Sequence, residues 1–281
     1  MPSVDIDGIS THYQILGDGP PLLMFSPGGF DARLDQWRDL GVYARIKLLD
    51  HLPGHYQCIL FDRRENGQSG GRLERISWAN YVAQGAGLLD HLDIEKAHLL
   101  GGCMGCAPVA AFAVAHPDRV FSMVHYWPVG GPHYRISSHQ RFTEHLTYVG
   151  ENGLQAVVNL VLGGDKNFSK DPRGGPWCSV IRNDPEFAKN YAAADDDAYV
   201  EMVGGMYRTL FDRDTAPGAE PEDLMGLDIP SLIIPGADKF HATSAACYLH
   251  ECLASSEYWD MPVDQQTEDN APDQILEFLR R

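Results

Sequence analysis

A chain of 281 residues, 44% of them hydrophobic, can bury a large core and needs no disulfide or metal staple. Its 22 basic and 39 acidic residues leave a formal net charge of −17, which makes nucleic acid and anionic membranes poor partners. The same balance disfavours a highly anionic substrate unless local basic residues override it.

The first residues, Met1-Pro2-Ser3-Val4-Asp5, show neither the basic nor the apolar stretch of a secretory signal. No run of about 18 apolar residues suggests a membrane span. Cys58, Cys103, Cys106, Cys178, Cys247 and Cys252 are spaced like no disulfide framework. No His or Cys pair has metal-ligand spacing with plausible partners. The expectation is a cytoplasmic protein with reduced thiols, no metal, no cofactor and a small-molecule substrate.

In chain order, residues 4–6 and 11–16 flank Asp7-Gly8, which predicts a hairpin. Residues 22–26 predict a buried strand running into Pro27-Gly28-Gly29, and residues 56–61 the next. A helix is predicted over 80–92, a short central strand over 98–100 and a small-residue helix over 104–115. Residues 120–127, 231–235 and 257–260 complete eight strands, with helices at about 243–253 and 272–281. Strands alternating with helices predict a mostly parallel sheet covered on both faces. The stretch 130–225 breaks that rhythm. It is rich in Gly, Pro, Asp and Tyr, and too aromatic for a disordered linker. It is expected to form a helical cap inserted in a core built from residues 1–129 and 226–281.

The segment Leu99-Leu100-Gly101-Gly102-Cys103-Met104-Gly105 carries the chemistry. A strand runs into a sharp turn and straight into a helix, so a nucleophile there is strained and projects from the sheet edge. The helix N-terminus adds positive potential beside it. With Cys103 in the usual serine place, this turn resembles the Gly-x-Ser-x-Gly elbow of the α/β-hydrolase superfamily. Three further segments carry the resemblance. Phe25-Ser26-Pro27-Gly28-Gly29-Phe30 is similar to the loop after the third strand, with Pro27 for the usual His. Asp62-Arg63-Arg64-Glu65-Asn66-Gly67-Gln68-Ser69 is similar to the Asp-x-Arg-Gly-x-Gly-x-Ser loop. Ile234-Pro235-Gly236-Ala237-Asp238 is similar to the acid-bearing turn.

The resemblance implies an α/β-hydrolase fold with Cys103 as nucleophile, Asp238 on the triad carboxylate, and the N–H groups of Gly29 and Met104 as oxyanion hole. It also implies a His between the last strand and the final helix, where residues 258–272 contain none. Gln265 falls near that spot, and glutamine cannot relay a proton. A thiol lowered at a helix end ionises in part without a paired base, so Cys103 reads as a self-activated thiolate. His125 and His133 are candidate surrogate bases, while His241 reads as a structural residue of the turn. Asp238 is then left to orient Gln265, a water or a substrate group. Phe30, Trp127 and Trp177 read as pocket lining or cap core. The leading expectation is hydrolysis of a small, largely apolar ester, thioester or lactone. A non-hydrolytic enzyme of the fold (lyase, cyclase or acyltransferase) and a silent ligand-binding protein stay open.

Overall fold

The structure, a computed structural model, describes residues 2–281. Its centre is an eight-stranded sheet: β1 (Ser3–Ile6), β2 (Ile9–Leu16), β3 (Pro21–Phe25), β4 (Gln57–Phe61), β5 (Ala97–Gly102), β6 (Val120–Tyr126), β7 (Ser231–Ile234) and β8 (Ser256–Tyr258). The spatial order is β1-β2-β4-β3-β5-β6-β7-β8. β2 pairs antiparallel with β1 and β4, and every later pairing is parallel. β3, β4 and β5 read as near-continuous apolar runs because strands of a parallel sheet are covered on both faces.

Short helices α1 (Gln36–Asp39), α2 (Gly41–Ile46) and α3 (Leu48–His51) fill the β3–β4 connection. α4 (Trp78–His91) and α5 (Cys106–Ala115) follow β4 and β5. Ser77 caps α4, its hydroxyl accepting from the Asn80 N–H while the Asn80 side chain accepts from the Ser77 N–H. Between β6 and β7 run α6 (Pro132–Asn152), α7 (Leu154–Leu162), α8 (Cys178–Asn183), α9 (Pro185–Ala192), α10 (Asp196–Leu210) and α11 (Pro221–Met225). α12 (Thr243–Cys252) and α13 (Ala271–Leu279) complete the chain. No described helix is long and apolar enough to cross a membrane.

Three apolar clusters follow from this layout. One packs α4, α5 and α12 on one sheet face, with Phe25, Ile59 and Phe112 at its centre. The second packs α1–α3 and α13 on the other face, around Trp37, Tyr43 and Leu276. The third lies among α6–α10, where Phe30, Phe142, Phe168 and Phe211 stack edge to face. α11 is the exception among the inserted helices. Ala216, Ala219 and Leu224 pack into the first cluster, so the end of the expected cap stretch folds with the sheet.

Candidate active site

At the end of β5 the chain turns sharply, and Cys103 adopts a left-handed backbone with φ 54°. For a side-chain-bearing residue that conformation costs about 1–2 kcal/mol, and it lifts the thiol out of the sheet edge. The turn closes only because its glycines lack side chains. A Cβ on Gly101 would lie 2.5 Å from the Gly105 carbonyl oxygen, and one on Gly105 would collide with the carbonyl oxygen of Phe25 on β3. Both obstacles are backbone atoms, which cannot rotate away. Gly105→Ala is therefore expected to cost about 3 kcal/mol of stability, read as a lowered midpoint of urea unfolding.

Asp62 and its loop brace the turn's neighbour. Its carboxylate accepts from the N–H groups of Leu34 (2.7 Å) and Gln68 (2.7 Å), and the Asn66 side chain accepts from the Ala32 N–H (3.1 Å). These bonds pin residues 32–34 against the loop that follows β4. Glu65, in a usual glycine place, takes a left-handed φ of 68°. Burial pushes its carboxyl up to about 7, against the opposing pull of Arg64.

His241 is the residue the sequence reading placed wrongly. The turn after β7 folds back on itself, so that the Asp238 carboxylate accepts from the N–H groups of Phe240 (2.7 Å) and His241 (2.9 Å). The same carboxylate meets Nδ1 of His241 at 2.8 and 2.9 Å. The Trp127 ring lies 5.5 Å from the imidazole, centroid to centroid. Nε2 has no hydrogen-bond partner among the described residues, and the imidazole lines the same cavity as Cys103. Burial opposes the Cys103 thiolate, but the nearby His241 charge outweighs it and holds the thiol below its ordinary value. Burial likewise opposes the imidazolium, and Cys103 and Asp238 outweigh that and push it up to about 10. The hydrogen bond from His241 holds the Asp238 carboxyl far below the usual carboxylate range, against some burial. Cys103, His241 and Asp238 thus line one cavity, which gives Cys103 an imidazole neighbour that the sequence reading did not.

The other candidates separate. His125, on β6, is fully buried, its ring nitrogens have no partner among the described residues, and burial lowers it to about 4. His133 is exposed and packs on the Phe240 ring at 5.4 Å. Gln265 is exposed. Its neighbour Gln266 is the buried one, and its side chain is fully used. Oε1 accepts from Tyr126 Oη (2.9 Å) and Trp127 Nε1 (2.8 Å), while Nε2 donates to the carbonyls of Pro235 (3.1 Å) and Met261 (3.0 Å). Gln266 therefore locks Trp127, which in turn packs on His241. Gly29 lines the cavity and its carbonyl accepts from Arg63 Nη2. Gly28 lines the cavity beside it. Phe30 and Trp177 belong to the cap cluster, and Trp177 Nε1 donates to the Arg72 carbonyl (3.0 Å). Trp127 does face the cavity.

That cavity holds about 320 Å³ and is walled by Leu40, Val42, Tyr43, Trp127, Val129 and Phe240 around Cys103 and His241. The volume suits a small molecule. Cys106 is separate from it. Its thiol donates to the Gly101 carbonyl (3.1 Å), and burial keeps it well above its ordinary value, so it is unsuited to thiolate work. The signal that marks His241 in the sequence is an Asp-x-x-His spacing inside the acid turn of a chain with no His after its last strand.

Residues 21–142 match the family described as alpha/beta hydrolase fold. The chain is 34% identical over 126 residues to the dihydrolipoyllysine-residue acetyltransferase component of an acetoin cleaving system from Cupriavidus necator, covering 45% of this chain and 31% of that one. It is 25% identical over 198 residues to a 2-hydroxy-6-oxo-6-phenylhexa-2,4-dienoate hydrolase of Comamonas testosteroni, covering 66% of this chain and 65% of that one. The chain thus spans under two thirds of the length of either relative. Among solved structures, the enol-lactonase of Burkholderia xenovorans LB400 superposes with a TM-score of 0.62 at 21% identity, covering 100% of both chains. Strand order, matched segment and superposition agree: the chain has the α/β-hydrolase fold.

Proposed function

We propose that the chain is a hydrolase of small, largely apolar esters, thioesters or lactones, acting through a Cys103–His241–Asp238 triad. The observation that carries the reading is an imidazole held by the Asp238 carboxylate at 2.8 Å, with an unpartnered Nε2, in the same cavity as the Cys103 thiol. The hydrolase relative of Comamonas testosteroni and the enol-lactonase with the same fold support the reaction class.

The Cys103 thiolate attacks the acyl carbon and the carbonyl electrons move to oxygen. The N–H groups of Gly28, Gly29 and Met104, residues that line the cavity with Cys103, receive that oxyanion. The imidazolium of His241 gives its proton to the leaving oxygen or sulfur as the bond breaks, and a Cys103 thioester remains. Acylation removes the thiolate charge, the strongest of the influences that raise His241. The imidazole then falls toward its ordinary value and accepts a proton from water as that water attacks the thioester. Collapse releases the acid and restores the thiolate and imidazolium. Asp238 holds the ring by Nδ1 throughout. A cytoplasmic setting fits this chemistry, because oxidation would consume the thiolate.

The test is incubation with 4-nitrophenyl hexanoate, followed by mass spectrometry. A transient acyl adduct on Cys103 with continuing release of 4-nitrophenol is expected. An adduct that persists in water and passes to an added alcohol or thiol would point instead to acyl transfer. No adduct on Cys103 would overturn the reading.

A further inference from the structure

Deepening the hydrolase reading, on which it rests, we infer that the substrate's acyl part carries a carboxylate, recognised by Arg141 on the cavity wall with Arg63 and the Tyr134 hydroxyl behind it.

The inference starts from positive charge without a partner. Arg141, on α6, lines the Cys103 cavity half-buried, and its guanidinium lies 5.7 Å above the Phe240 ring. Arg63 is fully buried, and its Nε and Nη1 have no hydrogen-bond partner among the described residues. Its Nη2 is spent on the Gly29 carbonyl and its carbon end sits 4.8 Å over the Tyr81 ring. Neither arginine has an ion pair among the described residues, whereas the neighbouring buried Arg64 is paired with both Glu65 and Glu74. A buried charge without a counter-ion is costly and persists where a ligand supplies the missing partner.

Tyr134 ties the two arginines to the nucleophile. It lines the cavity and its buried hydroxyl has no partner among the described residues. Burial pushes the phenol up. The Cys103 charge pushes it further, and Arg63 and Arg141 pull the other way; Tyr134, Cys103 and Arg141 line the same cavity. Among the described residues the only carboxylate on the cavity wall is Asp238, which is saturated by His241 and two backbone N–H groups. Arg141 on the wall and Arg63 behind it are left without a carboxylate of the described chain, and a substrate carboxylate supplies the missing partner. The strongly acidic surface repels anions in general, and this local excess of positive charge selects one that fits. Arginine suits the task, since its fork meets a carboxylate with two parallel bonds.

The probes are 4-nitrophenyl hemiglutarate, which has a free carboxylate, and its methyl-capped ester, which has the same leaving group. A charge-assisted hydrogen bond is worth about tenfold or more in affinity. The wild-type protein is expected to favour the hemiglutarate at least tenfold in kcat/KM. Arg141→Gln is expected to bring that ratio close to one, chiefly through KM. Arg63→Met is expected to lower the ratio as well, whereas a purely structural role would slow both esters alike. Equal use of the two esters by the wild type, or an unchanged ratio in Arg141→Gln, overturns the inference. If neither ester is turned over, hydrolysis fails as a reading and binding decides the carboxylate site alone. Hexanoate, but not hexanamide, should then raise the Tm of the wild type and not of Arg141→Gln; no such difference overturns the site.

Discussion

Replacing His241 by alanine is expected to lower ester hydrolysis about a thousandfold, the usual scale for losing a positioned acid–base group. The loss comes from both half-reactions. His241 is the first-ranked partner that draws the Cys103 thiol below its ordinary value, so without it less thiolate is present at pH 7. The leaving group also loses its proton donor, and the thioester loses the base that deprotonates water. The fold should survive. The ring is mostly buried, but His241 belongs to none of the three apolar clusters, and its partners are Asp238 in its own turn and Trp127 after β6. Steady-state kinetics with an activated aryl ester check the size of the effect, and circular dichroism checks the fold. A change under tenfold would remove His241 from the mechanism. Gln265→His is expected to restore nothing in this variant, because position 265 is exposed and Trp127 is held by Gln266 instead.

Cys103→Ala has the larger expected effect, a fall on the order of 10⁵-fold or more, comparable with removal of the nucleophile from other triads. Cys103→Ser is the more informative companion. A hydroxyl does not ionise near neutral pH, so the ion pair disappears and His241 returns toward its ordinary value. The variant would have to work by general-base abstraction with a shorter C–O bond in a site shaped around sulfur. Its activity is expected to fall about a hundredfold, and its activity should switch on as pH rises through the region near 6.5. The kcat/KM profile of the serine variant checks this. A serine variant as active as the wild type, with an unshifted profile, would show that the thiolate contributes nothing.

Much of the architecture is visible in the residues. The strands at β3, β4, β5, β6 and β7 announce themselves as apolar runs bounded by Gly, Pro and Asp, and the sheet places them within two residues of expectation. α1–α3 were not visible, because helices of 4 to 6 residues are too short to show a 3.6-residue period. The elbow was legible through Gly101, Cys103 and Gly105, since close backbone approach leaves a glycine signature. His241 was not. Its role depends on how the Asp238 turn folds back, a tertiary property absent from spacing alone. The resemblance also pointed to the wrong loop, where Gln266 serves structure and Gln265 faces solvent. The aromatic residues divide for the same reason: Phe30, Trp177 and Trp127 look alike in sequence, and only packing separates cap core from cavity wall.

The central claim is that Cys103 and His241 rest as a thiolate–imidazolium pair. The pH dependence of Cys103 alkylation by iodoacetamide, followed by mass spectrometry in the wild type and in His241→Ala, tests it most directly. A thiolate that is favoured by a neighbour appears above a lowered value, so its reactivity is present at neutral pH and is lost only as pH falls well below that of a free thiol. The wild type should therefore reach its plateau of reactivity at lower pH than an ordinary thiol does. The His241→Ala thiol should lose that plateau and gain reactivity only as pH rises toward the ordinary cysteine value near 8.5. A wild-type thiol that titrates near 8.5, or two identical profiles, would contradict the ion pair.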